Sequence, residues 1–94
     1  GDDFSGIVER VGSNVREFEP GDQVAGMAPY CFRSYALVDR RMAFPKPGFL
    51  THPAAATLPT VFLTAHYALV EVARMQPGEK VLIHAGTGGV GQAA

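Results

Sequence analysis

The feature that most constrains this chain is a glycine-rich turn, Gly86-Thr87-Gly88-Gly89-Val90-Gly91, entered directly from the β-branched apolar run Val81-Leu82-Ile83. The run predicts a buried parallel strand, and the turn is a complete G-x-G-x-x-G. Gly86 is expected to allow the tight turn off the strand, and Gly88 to let the backbone approach a pyrophosphate with no Cβ in the way. Gly91 is expected to let the next helix pack close to the strand. Gln92-Ala93-Ala94 would form the first turn of that helix, whose unpaired N–H groups and positive dipole end favour an anionic phosphate. With 11 glycines among 94 residues, such spacing also arises in a plain Gly-rich turn. The strand before it and the small residues after it make it a dinucleotide-site prediction. The residue that reads the ribose is expected about 20 positions further on, beyond Ala94.

A dinucleotide-binding domain needs several parallel strands joined by crossover helices, and one such step is present. The chain also opens at Gly1 without an initiator Met, so it is expected to be a piece of a larger protein holding parts of two domains. Hydrophobic residues make up 47% and charged residues 18%, with a net charge of −1. Nothing in that balance points to nucleic acid or to a disordered acidic tail. The apolar runs are broken by Pro, Thr or His short of a membrane span, so no membrane is expected; no signal peptide is visible, which carries little weight in a chain expected to lack its true N-terminus. Cys31 is the single cysteine and cannot form an internal disulfide. It is expected to be a buried or loop thiol, and the thin cysteine usage fits a reducing compartment.

Short β patterns dominate the first half. Residues 5–11, SGIVERV, predict a strand leading into Gly12-Ser13-Asn14. Residues 23–27 predict another after Pro20-Gly21-Asp22, residues 32–38 a third, and residues 42–44 a shorter one closed by Pro45-Lys46-Pro47-Gly48. Short strands separated by Gly and Pro indicate an antiparallel barrel or sandwich. After Gly48 the period becomes helical. Thr51 is placed to cap a short turn with Pro53 near its start, and Pro59 to open a helix. From Val61 to Met75 the residues Phe62, Ala65, Leu69, Val72 and Ala73 fall on one side, until Gln76-Pro77-Gly78 stops the helix. A β-rich half is thus followed by the start of an α/β half.

The strings GDDFSGIVERVGSNVREFEPGDQVAGMAP and AATLPTVFLTAHYALVEVARMQPGEKVLIHAGTGGVGQAA resemble the enoylreductase domain of polyketide synthases. That domain belongs to the zinc-free, quinone-oxidoreductase-like side of the medium-chain dehydrogenase/reductase superfamily. The resemblance covers nearly the whole chain. It rests on G-x-D-F-S-G, G-D-x-V-x-G, L-P-x-x-F-x-T-A, P-G-E-x-V-L-I-H and G-G-V-G-Q-A-A in combination. It implies a fragment of a two-domain protein: residues 1–58 part of a GroES-like β-barrel catalytic domain, residues 59–94 the start of an α/β Rossmann domain that binds NADPH. Zinc-dependent members carry a His ligand where this chain has Asp2, and the cysteine ligands are missing too, so no metal is expected. Asp2 and Asp3 are expected to fix the turn into the strand through backbone hydrogen bonds.

Residue by residue, the resemblance places Thr64 beside the nicotinamide, although a helical threonine also bonds back to a carbonyl one turn earlier. It places Gly86, Thr87, Gly88, Gly89, Val90 and Gly91 in the loop that holds the pyrophosphate. Tyr30, Phe32 and Tyr35 could line an acyl pocket or belong to the core. Of His52, His66 and His84, His66 is expected to pack on its helix and His84, at the strand end, to help shape the cofactor site; neither of these two shows a partner carboxylate, so the catalytic residues stay unassigned. The implied activity is NADPH-dependent reduction of an α,β-unsaturated acyl thioester carried by an acyl carrier protein. Other polyketide synthase domains are the implied partners, the parent the implied homodimer and the cytoplasm the implied location. A free-standing NADPH quinone or alkenal reductase shares the same loop, and an inactive reductase-like structural domain is the third reading.

Overall fold

The computed structural model of the chain describes residues 1–94. It divides into two compact units, Gly1–Pro59 and Thr60–Ala94, each with its own packing.

The first unit is built on a three-stranded antiparallel sheet in chain order: β1 (Asp3–Ile7), β2 (Gln23–Met27) and β3 (Ala43–Pro45). Asp3 faces Met27 and Ile7 faces Gln23 in the first pair, while Val24 faces Pro45 and Gly26 faces Ala43 in the second. With a neighbour on either side, β2 carries the core: Val24 and Ala25 are buried, with Ala28 and Cys31 just after them. The first ladder runs past the strand ends, since Val8 N–H donates to Asp22 O at 2.8 Å and Ala28 N–H to Asp2 O at 2.7 Å. Asp2 therefore anchors the start of β1 through its carbonyl.

The strand expected over residues 5–11 lies earlier in the chain. Pairing stops at Val8 because its partner turns away: Gly21 has φ 98°, and Asp22 Oδ2 accepts from Glu19 N–H at 2.9 Å. Residues 32–38, also expected as a strand, pair with nothing, and Leu37 is fully exposed. Alternating apolar residues define two faces, but a strand forms only where a neighbour supplies the opposing N–H and C=O groups. In this chain β3 takes the available edge of β2, so three strands make a portion of a barrel and do not close one.

A 3₁₀ turn, Arg40–Met42, leads into β3 and displaces the start of the run expected at Met42. Asp39 caps it, accepting from Arg41 N–H at 2.9 Å while the Arg41 guanidinium grips both its oxygens. Beyond β3, Thr51 Oγ1 accepts from Ala54 N–H at 3.3 Å and caps α1 (His52–Ala55), with Pro53 in its first turn as expected. Ala55 is buried where α1 packs on β1.

Helix α2 (Pro59–His66), in the second unit from Thr60 on, starts at its proline, then widens into a π-helical stretch, Tyr67–Val72. Ala73 N–H bonds to Ala68 O, five residues back, at 2.9 Å. The helix ends at Val72 instead of Met75, because Arg74 takes φ 52° and Met75 N–H closes back on Leu69 O. A turn over residues 76–79 follows, with Gly78 at φ 87°. By length and composition alone the helical run His52–Val72 passes for a membrane span, at a mean hydropathy of 1.2. The backbone there is not one rod, since it breaks at residues 56–58 and restarts at Pro59. Residues 81–83 are not a strand: no residue of the chain pairs with them, and a parallel strand has no ladder without a neighbour. The chain closes with α3 (Gly89–Ala93).

Candidate functional site

The glycine-rich turn is assembled from backbone. Ala85 takes φ 51°, so the sharp reversal expected at Gly86 falls one residue earlier. Gly88 N–H then donates to Ala85 O at 2.9 Å and closes the turn. The close approach at Gly91, expected against the strand, is made against the turn instead: a β-carbon there would lie 2.5 Å from Ala85 O and 2.7 Å from Gly86 Cα. Gln92 Nε2 donates to Thr87 O at 2.6 Å and ties down the far side.

Gly88 is the N-cap of α3 and has no side chain with which to cap it. The first bond closing onto the helix is Gln92 N–H to Gly88 O at 2.9 Å, so the amides of Gly89, Val90 and Gly91 have no partner inside the helix. Residues 81–94 contain no Asp, Glu, Lys or Arg, so the turn and α3 bring no side-chain carboxylate of their own against an anion. Beyond Gly86 a β-carbon would meet nothing within 4 Å, which leaves that flank of the turn open. Free amides, absent side chains and no negative charge suit the phosphate of a dinucleotide. Thr64 stands exposed on α2, one turn after Val61.

The other sequence candidates are spread out. Tyr35 lines an open cavity of about 730 Å³ beside β1, together with Phe4, Ile7 and Leu37, whereas Tyr30 and Phe32 lie outside it on the surface. Cys31 is buried, with Sγ 3.1 Å from Gly1 O and 3.2 Å from Asp3 O. No three His, Cys, Asp or Glu side chains converge as a metal site would require. Two histidines have partners that sequence reasoning missed. His52 Nδ1 lies 2.7 Å from Ser5 Oγ, and no local pattern connects residues 47 positions apart. His66 Nε2 lies 3.8 Å from Glu71 Oε1, an i, i+5 pair that π-helical geometry brings onto one face.

A small antiparallel sheet, followed in the chain by a helix and a glycine-rich turn, agrees with the medium-chain dehydrogenase/reductase class. Residues 1–71 match the alcohol dehydrogenase GroES-like domain, and the chain belongs to that family. It is 47% identical over 95 residues to a mycocerosic acid synthase-like polyketide synthase of Mycobacterium tuberculosis, spanning all of this chain and 4% of that protein. The crystal structure of the CurK enoyl reductase superposes with a TM-score of 0.94 at 41% identity, over 99% of this chain and 28% of that one. A quinone oxidoreductase from Coxiella burnetii gives 0.84 at 39% identity, over 98% of this chain and 30% of that one. The chain therefore spans a small part of the synthase and less than a third of either reductase.

Proposed function

We propose that this chain is part of an NADPH-dependent reductase of α,β-unsaturated acyl thioesters, acting in polyketide or fatty-acid chain assembly. Residues 1–58 belong to its GroES-like catalytic domain and residues 59–94 open its Rossmann domain. The observation that carries the reading is the uncapped start of α3, where three amides and an open glycine flank are available to a pyrophosphate. Similarity to a polyketide synthase along the whole chain supports the choice of substrate class.

In this reading residues 86–91 hold the pyrophosphate through backbone N–H groups, and Thr64 lies beside the nicotinamide. The cofactor, when bound, supplies a hydride for the β-carbon of the enoyl chain. The protein's own residues fix the cofactor's position and shield the reacting pair from water. An acyl carrier protein delivers the thioester, neighbouring synthase domains are partners, and the parent works as a cytoplasmic homodimer. No proton donor is assigned within residues 1–94.

Similarity to the Coxiella quinone oxidoreductase favours a second reading, a free-standing NADPH quinone or alkenal reductase. NADPH oxidation by the intact reductase carrying this sequence, with a crotonyl thioester and a quinone at matched concentrations, separates the two. Preference for the thioester, abolished by Gly88→Leu, supports enoyl reduction. Preference for the quinone transfers the protein to the second reading. Oxidation of neither makes it an inactive reductase-like domain.

A further inference from the structure

Gly89 is one of the three residues of the G-x-G-x-x-G to which the motif gives no task, yet the structure gives it a tight contact. A β-carbon at position 89 would lie 2.8 Å from Val61 Cγ1, while the next nearest atom, Val61 Cβ, would be 3.8 Å away. The first distance is a clash and the second is ordinary van der Waals contact. The space denied to a side chain at 89 is therefore occupied by the γ-methyl of Val61 alone. That methyl cannot swing clear, because a β-branched residue in a helix is held to one strongly preferred χ1 rotamer. Val61 sits in the first turn of α2, three residues before Thr64.

We propose that Val61 is a positioning residue for the cofactor turn, its γ-methyl seating on the bare Cα of Gly89 and setting where α3 begins. This rests on the reading of residues 86–91 as the pyrophosphate loop. The consequence is steric complementarity: position 89 tolerates a methyl group only when position 61 gives up its γ atoms. Contact between α2 and the start of α3 would also hold the helix bearing Thr64 in register with the amides that grip phosphate.

The test is a double-mutant cycle in the intact reductase, read as the NADPH dissociation constant, the thioester KM and the thermal midpoint. Gly89→Ala is expected to weaken NADPH binding about tenfold or more, as overpacking of a tight contact does, with thioester KM unchanged. Val61→Ala with Gly89→Ala is expected to recover affinity to within about threefold, since coupled neighbours are non-additive. Val61→Thr with Gly89→Ala, which keeps two γ atoms, is expected to stay as weak as Gly89→Ala. Should Gly89→Ala fail to fold, the two double variants still differ in NADPH affinity, and equal affinities overturn the proposal. Additive losses, or a change in thermal midpoint with NADPH affinity untouched, also overturn it. Gly88→Leu is the reference: if it leaves NADPH binding intact, the cofactor reading has failed and this proposal falls with it. If it abolishes binding while positions 61 and 89 do not couple, only the Val61 proposal is lost.

Discussion

Ser5 Oγ and His52 Nδ1 lie 2.7 Å apart, and the hydroxyl's own proton is already committed to Val24 O at 3.0 Å. A hydroxyl has one proton, so the arrangement in which both bonds form is the one with His52 donating and the hydrogen on Nδ1. The two bonds join β1, β2 and α1 at one point. Ser5→Ala leaves the imidazole N–H and the Val24 carbonyl without that partner in a half-buried setting, a loss of about 1 kcal/mol. Urea unfolding of the intact reductase checks this, and ¹⁵N shifts of the His52 ring should report the Nδ1–H tautomer. An Nε2–H tautomer would reverse the direction of the bond.

The Arg41 side chain and its backbone N–H hold the Asp39 carboxyl well below the usual carboxylate range. A depressed folded-state value stabilises the fold above the unfolded value, about 4 for aspartate, and the contribution fades as pH falls through the folded value. Asp39 caps the 3₁₀ turn before β3, so acid should loosen that edge of the sheet. The pair is exposed, so the effect is small and salt-sensitive. Thermal midpoints measured below pH 4 should fall less steeply for Asp39→Asn than for the parent, and the difference should shrink in high salt. Parallel slopes would remove Asp39 from the acid response.

Ala85 is a non-glycine residue at φ 51°. The left-handed conformation costs an alanine about 1 kcal/mol, while glycine costs roughly 0.5 kcal/mol in extra chain entropy. Ala85→Gly is therefore expected to stabilise the turn by about 0.5 kcal/mol net. Gly91→Ala should have the opposite sign and a larger size, about 2 kcal/mol or more, because its β-carbon meets backbone that cannot rotate away. Scanning calorimetry of both variants checks the two signs together.

What the sequence made legible follows from how local each cause is. β2 was readable to the residue because its turn and its apolar run are adjacent in the chain. Thr51, Pro53 and Pro59 were readable because capping and proline placement act within one helical turn. Residues 32–38 and 81–83 carry strand patterns, but pairing depends on a neighbour, and neither finds one within residues 1–94. The site was legible as a motif and only partly as geometry. The spacing located the turn and the close approach at Gly91, whereas the reversal at Ala85 depends on a backbone angle that no residue type announced. The contacts Ser5–His52 and Val61–Gly89 join residues 47 and 28 positions apart, so only folding reveals them.

The buried hydrophobic core consists of Val24, Ala25, Ala28, Cys31, Ala55 and Ala65, mostly small side chains. Large ones lie outside: Phe32 is 96% exposed, Phe49 87% and Leu82 83%. Burial of a large apolar side chain is worth about 1.5–3 kcal/mol, so this chain forgoes much of the stabilisation its composition could supply. The 94-residue chain alone is expected to be marginally stable, to bind a hydrophobic dye and to hold NADPH weakly. The turn's backbone donors would be present but poorly held, since residues 81–83 have no strand beside them. Calorimetric titration of the chain alone and of the intact reductase tests this directly, with affinity expected only in the latter. Tight NADPH binding by the 94 residues would mean that α2, the turn and α3 suffice to hold the cofactor without any covering sheet.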